Sequence, residues 1–129
     1  MIFKGIRIKV SCSNWEQIKI LGEFWDEITS KIDINKLVGV GFGWDRDCFD
    51  YAIGLIDSFD ELEIIKNFNI DDSEYIEMNL PDIGWETRTG KISDIQRIYE
   101  EEFDCYNIKF KYEIERFDDK GNCKISVLI

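Results

Sequence analysis

The sequence predicts an α+β fold: duplicated βαββ units with pseudo-twofold symmetry, antiparallel sheets, one main helix per unit and a central cleft. Three observations lead there. Period-two and helical-period segments occur in the order strand, helix, hairpin, and that order returns after a polar stretch. Each unit has one apolar helical stripe, enough to cover one sheet face and leave the other for the partner unit. The 129 residues suit a single domain, with unit one at about 3–57, a linker at about 58–72 and unit two at about 73–129.

The first strand is expected over residues 3–11, where Ile6, Ile8 and Val10 share one side. Ser13-Asn14-Trp15-Glu16 fits a capping box at a helix start. The helix carries Ile18, Leu21, Trp25, Ile28 and Ile32 at spacings of three and four, with Phe24 beside them, and this stripe reads as core. Residues 37–44 form a strand with Val38, Val40, Phe42 and Trp44 on one side and Gly39, Gly41 and Gly43 on the other. An Asp45-Arg46 turn would pair Phe42 with Phe49 and Val40 with Tyr51, gathering large residues on the helix side. Three glycines at one parity in a strand call for a ligand or another backbone close by, or for the second unit lying over them.

Residues 60–68 suit a short helix within the linker. A strand over residues 74–80 is expected to kink at Pro81 and to resume through Ile83, Trp85 and Thr87. A second helix over residues 91–103 has Ile92, Ile95, Ile98, Tyr99 and Phe103 as its stripe. The closing hairpin alternates from Ile108, through Asp118-Asp119-Lys120-Gly121, to Ile129. With Phe117 opposite Asn122, Ile114 faces Ile125 and Tyr112 faces Val127. Glu113, Glu115 and Phe117 then share the other side, with Glu115 opposite Lys124.

Composition excludes several classes. The 44% apolar and 14% aromatic content belongs to a folded chain. A net charge of −11 opposes direct nucleic-acid binding and anionic membranes, and favours cationic ligands or a basic partner. No apolar run approaches the roughly 20 residues of a spanning helix, and Lys4 interrupts any leader, so a cytoplasmic protein is expected. Cys12, Cys48, Cys105 and Cys123 are scattered without a CxxC, which suits reduced thiols and no metal site. The absence of histidine removes Ser-His and Cys-His nucleophiles. No cofactor motif is present.

Glu115 is the leading candidate for a functional residue, with Asp50 on the glycine face as a second charge. Trp85 and Phe117 are candidate stacking partners for a planar ligand. The competing reading makes Glu115 half of an exposed cross-strand pair with Lys124, worth about 0–1 kcal/mol.

Several segments resemble the GyrI-like domains, which also serve as effector-binding domains of AraC-type bacterial transcription regulators. Phe49-Asp50-Tyr51-Ala52-Ile53-Gly54 resembles their FDYxIG segment, and Ile20-Leu21-Gly22-Glu23-Phe24-Trp25 resembles their first-helix pattern. Asn79-Leu80-Pro81 resembles their proline-marked strand, and Glu115-Arg116-Phe117-Asp118 resembles their E-x-Y segment, with Phe117 replacing the tyrosine. The resemblance covers nearly the whole chain. It implies a cleft between two units that binds small, cationic or aromatic molecules, with Glu115 as its carboxylate. Both repeats use the chain fully, so a stand-alone form without a DNA-binding unit is expected. Two further classes are a hydrolase of small electrophilic compounds, with Glu115 as general base and Tyr51 or Trp85 supplying the missing polar hydrogen, and an acidic gyrase-inhibitor-like interaction module. No catalytic residue is assigned outright.

Overall fold

A computed structural model describes every residue, Met1–Ile129. Seven strands form a single antiparallel sheet: β1 (Ile2–Ser11), β2 (Val38–Asp45), β3 (Cys48–Leu55), β4 (Glu74–Asn79), β5 (Glu86–Lys91), β6 (Tyr112–Phe117) and β7 (Asn122–Leu128). Their spatial order is β4-β1-β3-β2-β6-β7-β5. Three helices accompany them: α1 (Glu16–Thr29), α2 (Leu62–Lys66) and α3 (Ile95–Arg97), the last continuing as a wide π turn over Ile98–Glu102. The chain is therefore α+β, built on one sheet and not on two. No helix is long and apolar enough to cross a membrane.

Helix α1 starts without the expected capping box. Trp15 takes the N-cap in a left-handed conformation (φ 62°), and no side chain caps the helix. Ser13 and Asn14 are instead spent on a tight turn after β1, where the Ser13 amide bonds the Ser11 hydroxyl. The stripe narrows accordingly. Ile18 lies 67% exposed, while Phe24 and Ile28 are buried. The short α2 lays Ile65 on the β1 and β3 side. The strand expected to run through Pro81 is two strands at opposite edges of the sheet. Between them, residues 80–85 cross the sheet, and Leu80 and Trp85 pack with Val38, Val40 and Ile114. The proline lacks a ladder donor and ends β4 where that crossing begins.

Both hairpins are one residue out of the expected register. In the first, Gly41 pairs with Tyr51 and Val40 with Ala52. Gly43, at φ +65°, forms a bulge with Trp44, and the turn moves to Arg46-Asp47. In the second, Glu115 pairs with Ile125 and Phe117 with Cys123. Asp118 closes a three-residue loop by accepting from the Lys120 and Asn122 amides, and Gly121 supplies the left-handed residue at φ +82°. Strand β6 begins at Tyr112, so Ile108 and Phe110 lie outside the ladder.

Because side chains alternate with period two, each slip moves a whole set of residues to the other face. Tyr51 leaves Val40 and joins Gly39 and Gly41. Glu113, Glu115 and Phe117 join Cys123, Ile125 and Val127. This face carries the helices and holds two separate apolar clusters. One gathers Ile6, Val10, Phe24, Ile28, Tyr51 and Ile53 under α1; the other gathers Ile98, Phe103, Cys123, Ile125 and Val127 under α3. The opposite face holds a third cluster, which includes Phe3, Val38, Val40, Ala52, Leu80 and Ile114.

Candidate functional site

The seam between the two helix-side clusters runs along the β2–β6 pairing. There Gly39 stands opposite Glu115, and Gly41 opposite Glu113. The glycines are explained by what lies over them. A Cβ on Gly39 would fall inside the Tyr51 hydroxyl and 2.8 Å from Trp25 Cζ2. A Cβ on Gly41 would come within 2.8 Å of Glu113 Cγ and Oε1. Side chains fold across bare backbone: Tyr51 and Trp25 over Gly39, and Glu113, from the half of the chain expected to cover the glycines, over Gly41.

Glu115 is the only charged residue in the buried set, at 7% exposure. The expected pairing with Lys124 is absent, since Lys124 faces Arg116 and Glu115 points to the other side. Two phenols hold the carboxylate. Tyr51 Oη donates to Oε1, and Tyr99 Oη donates to Oε2 at 2.8 Å. Trp25 Nε1 donates in turn to Tyr51 Oη at 3.0 Å. The Trp25 ring stands edge-on to Phe117 with centroids 5.0 Å apart, joining the α1 side to the β6 side. Phe117 therefore lies at the site, as its spacing from Glu115 predicted.

Glu113, two residues earlier on the same strand, is the second acid of the seam. None of the ten ion pairs in the chain includes Glu113 or Glu115. Burial pushes the Glu115 carboxyl above its ordinary range, while the two tyrosine hydroxyls draw it back. Burial and the Glu115 charge push Glu113 well above the ordinary range, against a smaller pull from nearby Tyr99. Tyr51 and Tyr99 are held well above 10 by burial and by these carboxylates, so both phenols stay protonated donors.

Asp50 and Trp85 do not reach this site. Asp50 lies across the sheet, paired with Arg7 at 2.8 Å and Lys9 at 3.2 Å. Trp85 packs on the same far side, near Tyr112, and its Nε1 donates to the Pro81 carbonyl at 2.8 Å. The slipped register explains Asp50, and the crossing of residues 80–85 explains Trp85. Three residues of the cluster were not singled out as ligand contacts. Trp25 and Tyr99 were assigned to helix stripes, where apolar spacing hides a polar tip. Glu113 carried a signal, because its parity with Glu115 puts both acids on one face.

No group of His, Cys, Asp and Glu has the arrangement to hold a metal ion. Chemically, the seam offers two neighbouring carboxyl groups beside Trp25, Phe117, Tyr51 and Tyr99, with two neutral hydroxyl donors on Glu115. The chain matches no protein-family model and no curated protein.

Proposed function

We propose that this chain is an effector-binding domain of the GyrI-like type, which takes a small cationic or aromatic molecule at the seam with Glu115 as the buried carboxylate. One observation carries the reading: a buried glutamate with a second, half-buried one two residues before it, and neither in an ion pair with Lys or Arg. Desolvating a carboxylate costs several kcal/mol in proteins unless charge or hydrogen bonds compensate, and a bound cation supplies what this chain does not. Trp25 and Phe117 add aromatic faces for cation–π attraction of about 1–2 kcal/mol.

The strand order supports the duplicated reading. The sheet runs β1-β3-β2 and then β6-β7-β5, so corresponding strands of the two βαββ units occur in mirrored sequence about the β2–β6 junction. The ligand then sits in a central cleft on the junction, between α1 and α3, and its entry parts the Trp25 and Phe117 rings.

The test is a fluorescence titration with a planar cation such as a rhodamine. Glu115→Gln weakens binding at least tenfold, while Trp85→Ala, on the far face, leaves it unchanged. Equal affinity in wild type and Glu115→Gln removes the carboxylate from the site and the proposal with it. A second reading, hydrolysis of small electrophiles, gains from one observation: Tyr51 Oη on Glu115 supplies the hydroxyl that Phe117 lacks. Turnover of an activated epoxide, lost in both Glu115→Gln and Tyr51→Phe, would establish it.

A further inference from the structure

We propose a second binding site on the face of the sheet away from the helices, across β5, β6 and β7, that takes a compact polyanion of the diphosphate class. It lies apart from the seam and does not depend on what the seam binds.

The sheet register builds the site. Arg116 on β6 is opposite Lys124 on β7, and Lys124 is opposite Thr89 on β5. Lys91 follows two residues after Thr89, opposite Asn122, so period two puts all three cations on one face. With Thr89, Asn35 and Asn122 they line an open groove of about 660 Å³. No strand position of this face in β5, β6 or β7 carries an acid, although the chain has 27 Asp and Glu against 16 Lys and Arg.

Like charges directly opposite in a ladder oppose the pairing, and the chain does little to relieve them. Lys91 and Lys124 take part in none of the ten ion pairs, and Arg116 has one, with the exposed Asp57 at 3.1 Å. Two acids reach the groove, Asp94 and Asp118. Asp118 is occupied by the Lys120 and Asn122 amides and by Asn122 Nδ2. Asn122 Oδ1 also accepts from Lys91 Nζ at 3.0 Å, which holds that ammonium in place. Charge and spacing then select the ligand. Neighbouring strands lie about 4.8 Å apart and diagonal positions about 7–8 Å apart. One carboxylate cannot meet three cations at that spacing. Two linked phosphates can, with the planar Arg116 fork taking oxygens in pairs. A nucleic-acid strand would bring its further phosphates against a chain of net charge −11.

Calorimetric titration at low salt tests the site with pyrophosphate, adenosine diphosphate, acetate and a short single-stranded oligonucleotide. Wild type is expected to bind pyrophosphate at least tenfold more tightly than acetate or the oligonucleotide. Lys124→Gln changes an exposed position and relieves the opposed pair, so it should fold at least as well as wild type. It is expected to weaken pyrophosphate fivefold or more. Lys19→Gln, the same change of charge on α1, is expected to stay within twofold of wild type. Adenosine diphosphate binding more tightly than pyrophosphate supports the site as one for a nucleotide; equal affinity supports it as one for the phosphates alone. The site is overturned by wild type that does not bind pyrophosphate, by an unchanged affinity in Lys124→Gln, by an equal loss in Lys19→Gln, or by tighter binding of the oligonucleotide. None of these outcomes bears on the cation site at the seam.

Discussion

The two faces of the sheet each hold carboxylates that the chain must accommodate, and they do so in opposite ways. On one face Asp50 meets Arg7 and Lys9, and Arg7 also reaches Glu74 at 2.6 Å. The charges close among themselves. On the other face Glu113 and Glu115 meet phenols, indole and phenyl rings, and no cation. An ion pair completed inside the chain has little left to offer a ligand, whereas an acid pair supported only by neutral donors is pushed toward its neutral form and gains from a cation that restores its charge. Asp50 and Tyr51 are adjacent in sequence, and a single step along β3 separates the satisfied face from the unsatisfied one.

The largest expected effect tests whether the glycines exist for the aromatic–acid cluster. Gly39→Ala places a methyl against the Tyr51 hydroxyl and Trp25, both held in place by packing. It is expected to destabilise the fold by about 3 kcal/mol in urea denaturation, near the upper end for overpacking. A loss below about 1 kcal/mol would show that the cluster yields easily. Next comes Tyr51→Phe, which removes a donor from Glu115 and the acceptor of Trp25 Nε1. A buried group left without its partner costs about 2 kcal/mol, and the Trp25 emission should shift as its indole hydrogen bond is lost. Unchanged emission and stability would mean the phenol bridge is not formed in solution.

Asp50→Asn examines the closed face. The pair is partly exposed, so the loss is expected near 1 kcal/mol at low salt and less at 1 M salt. Ligand affinity should stay as in wild type. Affinity that falls with Asp50 would join the two faces into one electrostatic unit and dissolve the contrast.

The smallest effect has the opposite sign. Both seam glutamates are held above the ordinary carboxylic value of 4.5. Above that pH the folded chain binds more protons than the unfolded chain, so this contribution to stability, complete below pH 4.5, is lost as pH rises through the raised values. Glu113→Gln is therefore expected to raise the unfolding temperature at pH 8 and to leave it unchanged at pH 4. Equal shifts at both pH values would trace the effect to packing and not to charge.

Much of the site was legible from parity alone. Glu113, Glu115 and Phe117 alternate on β6, so their common face followed whatever the register. Glu115, which the sequence singles out, is the one charged residue in the buried set, and Tyr51, a candidate hydroxyl, bonds it. The misplaced residues have a common cause. Asp50 was assigned by hairpin register, and register depends on where a bulge or a left-handed residue falls. Gly43 and Gly121 decide that, yet their sequence context fits two registers one residue apart equally well. Trp85 was assigned by continuing a strand through Pro81, and only the sheet's two distant edges reveal that the chain crosses over instead.

By itself the sequence determined the α+β class, the alternation that builds β1, β6 and β7, the order of the strands and helices along the chain except for the division of β4 from β5, and the lack of histidine. Those properties are local, set by period and by residue type. The tertiary structure alone decided which faces meet. Apolar alternation is satisfied equally well by two registers one residue apart. The choice between them depends on whether Tyr51 and Glu113 can lie over Gly39 and Gly41, a fit that exists only once β2, β3 and β6 stand side by side.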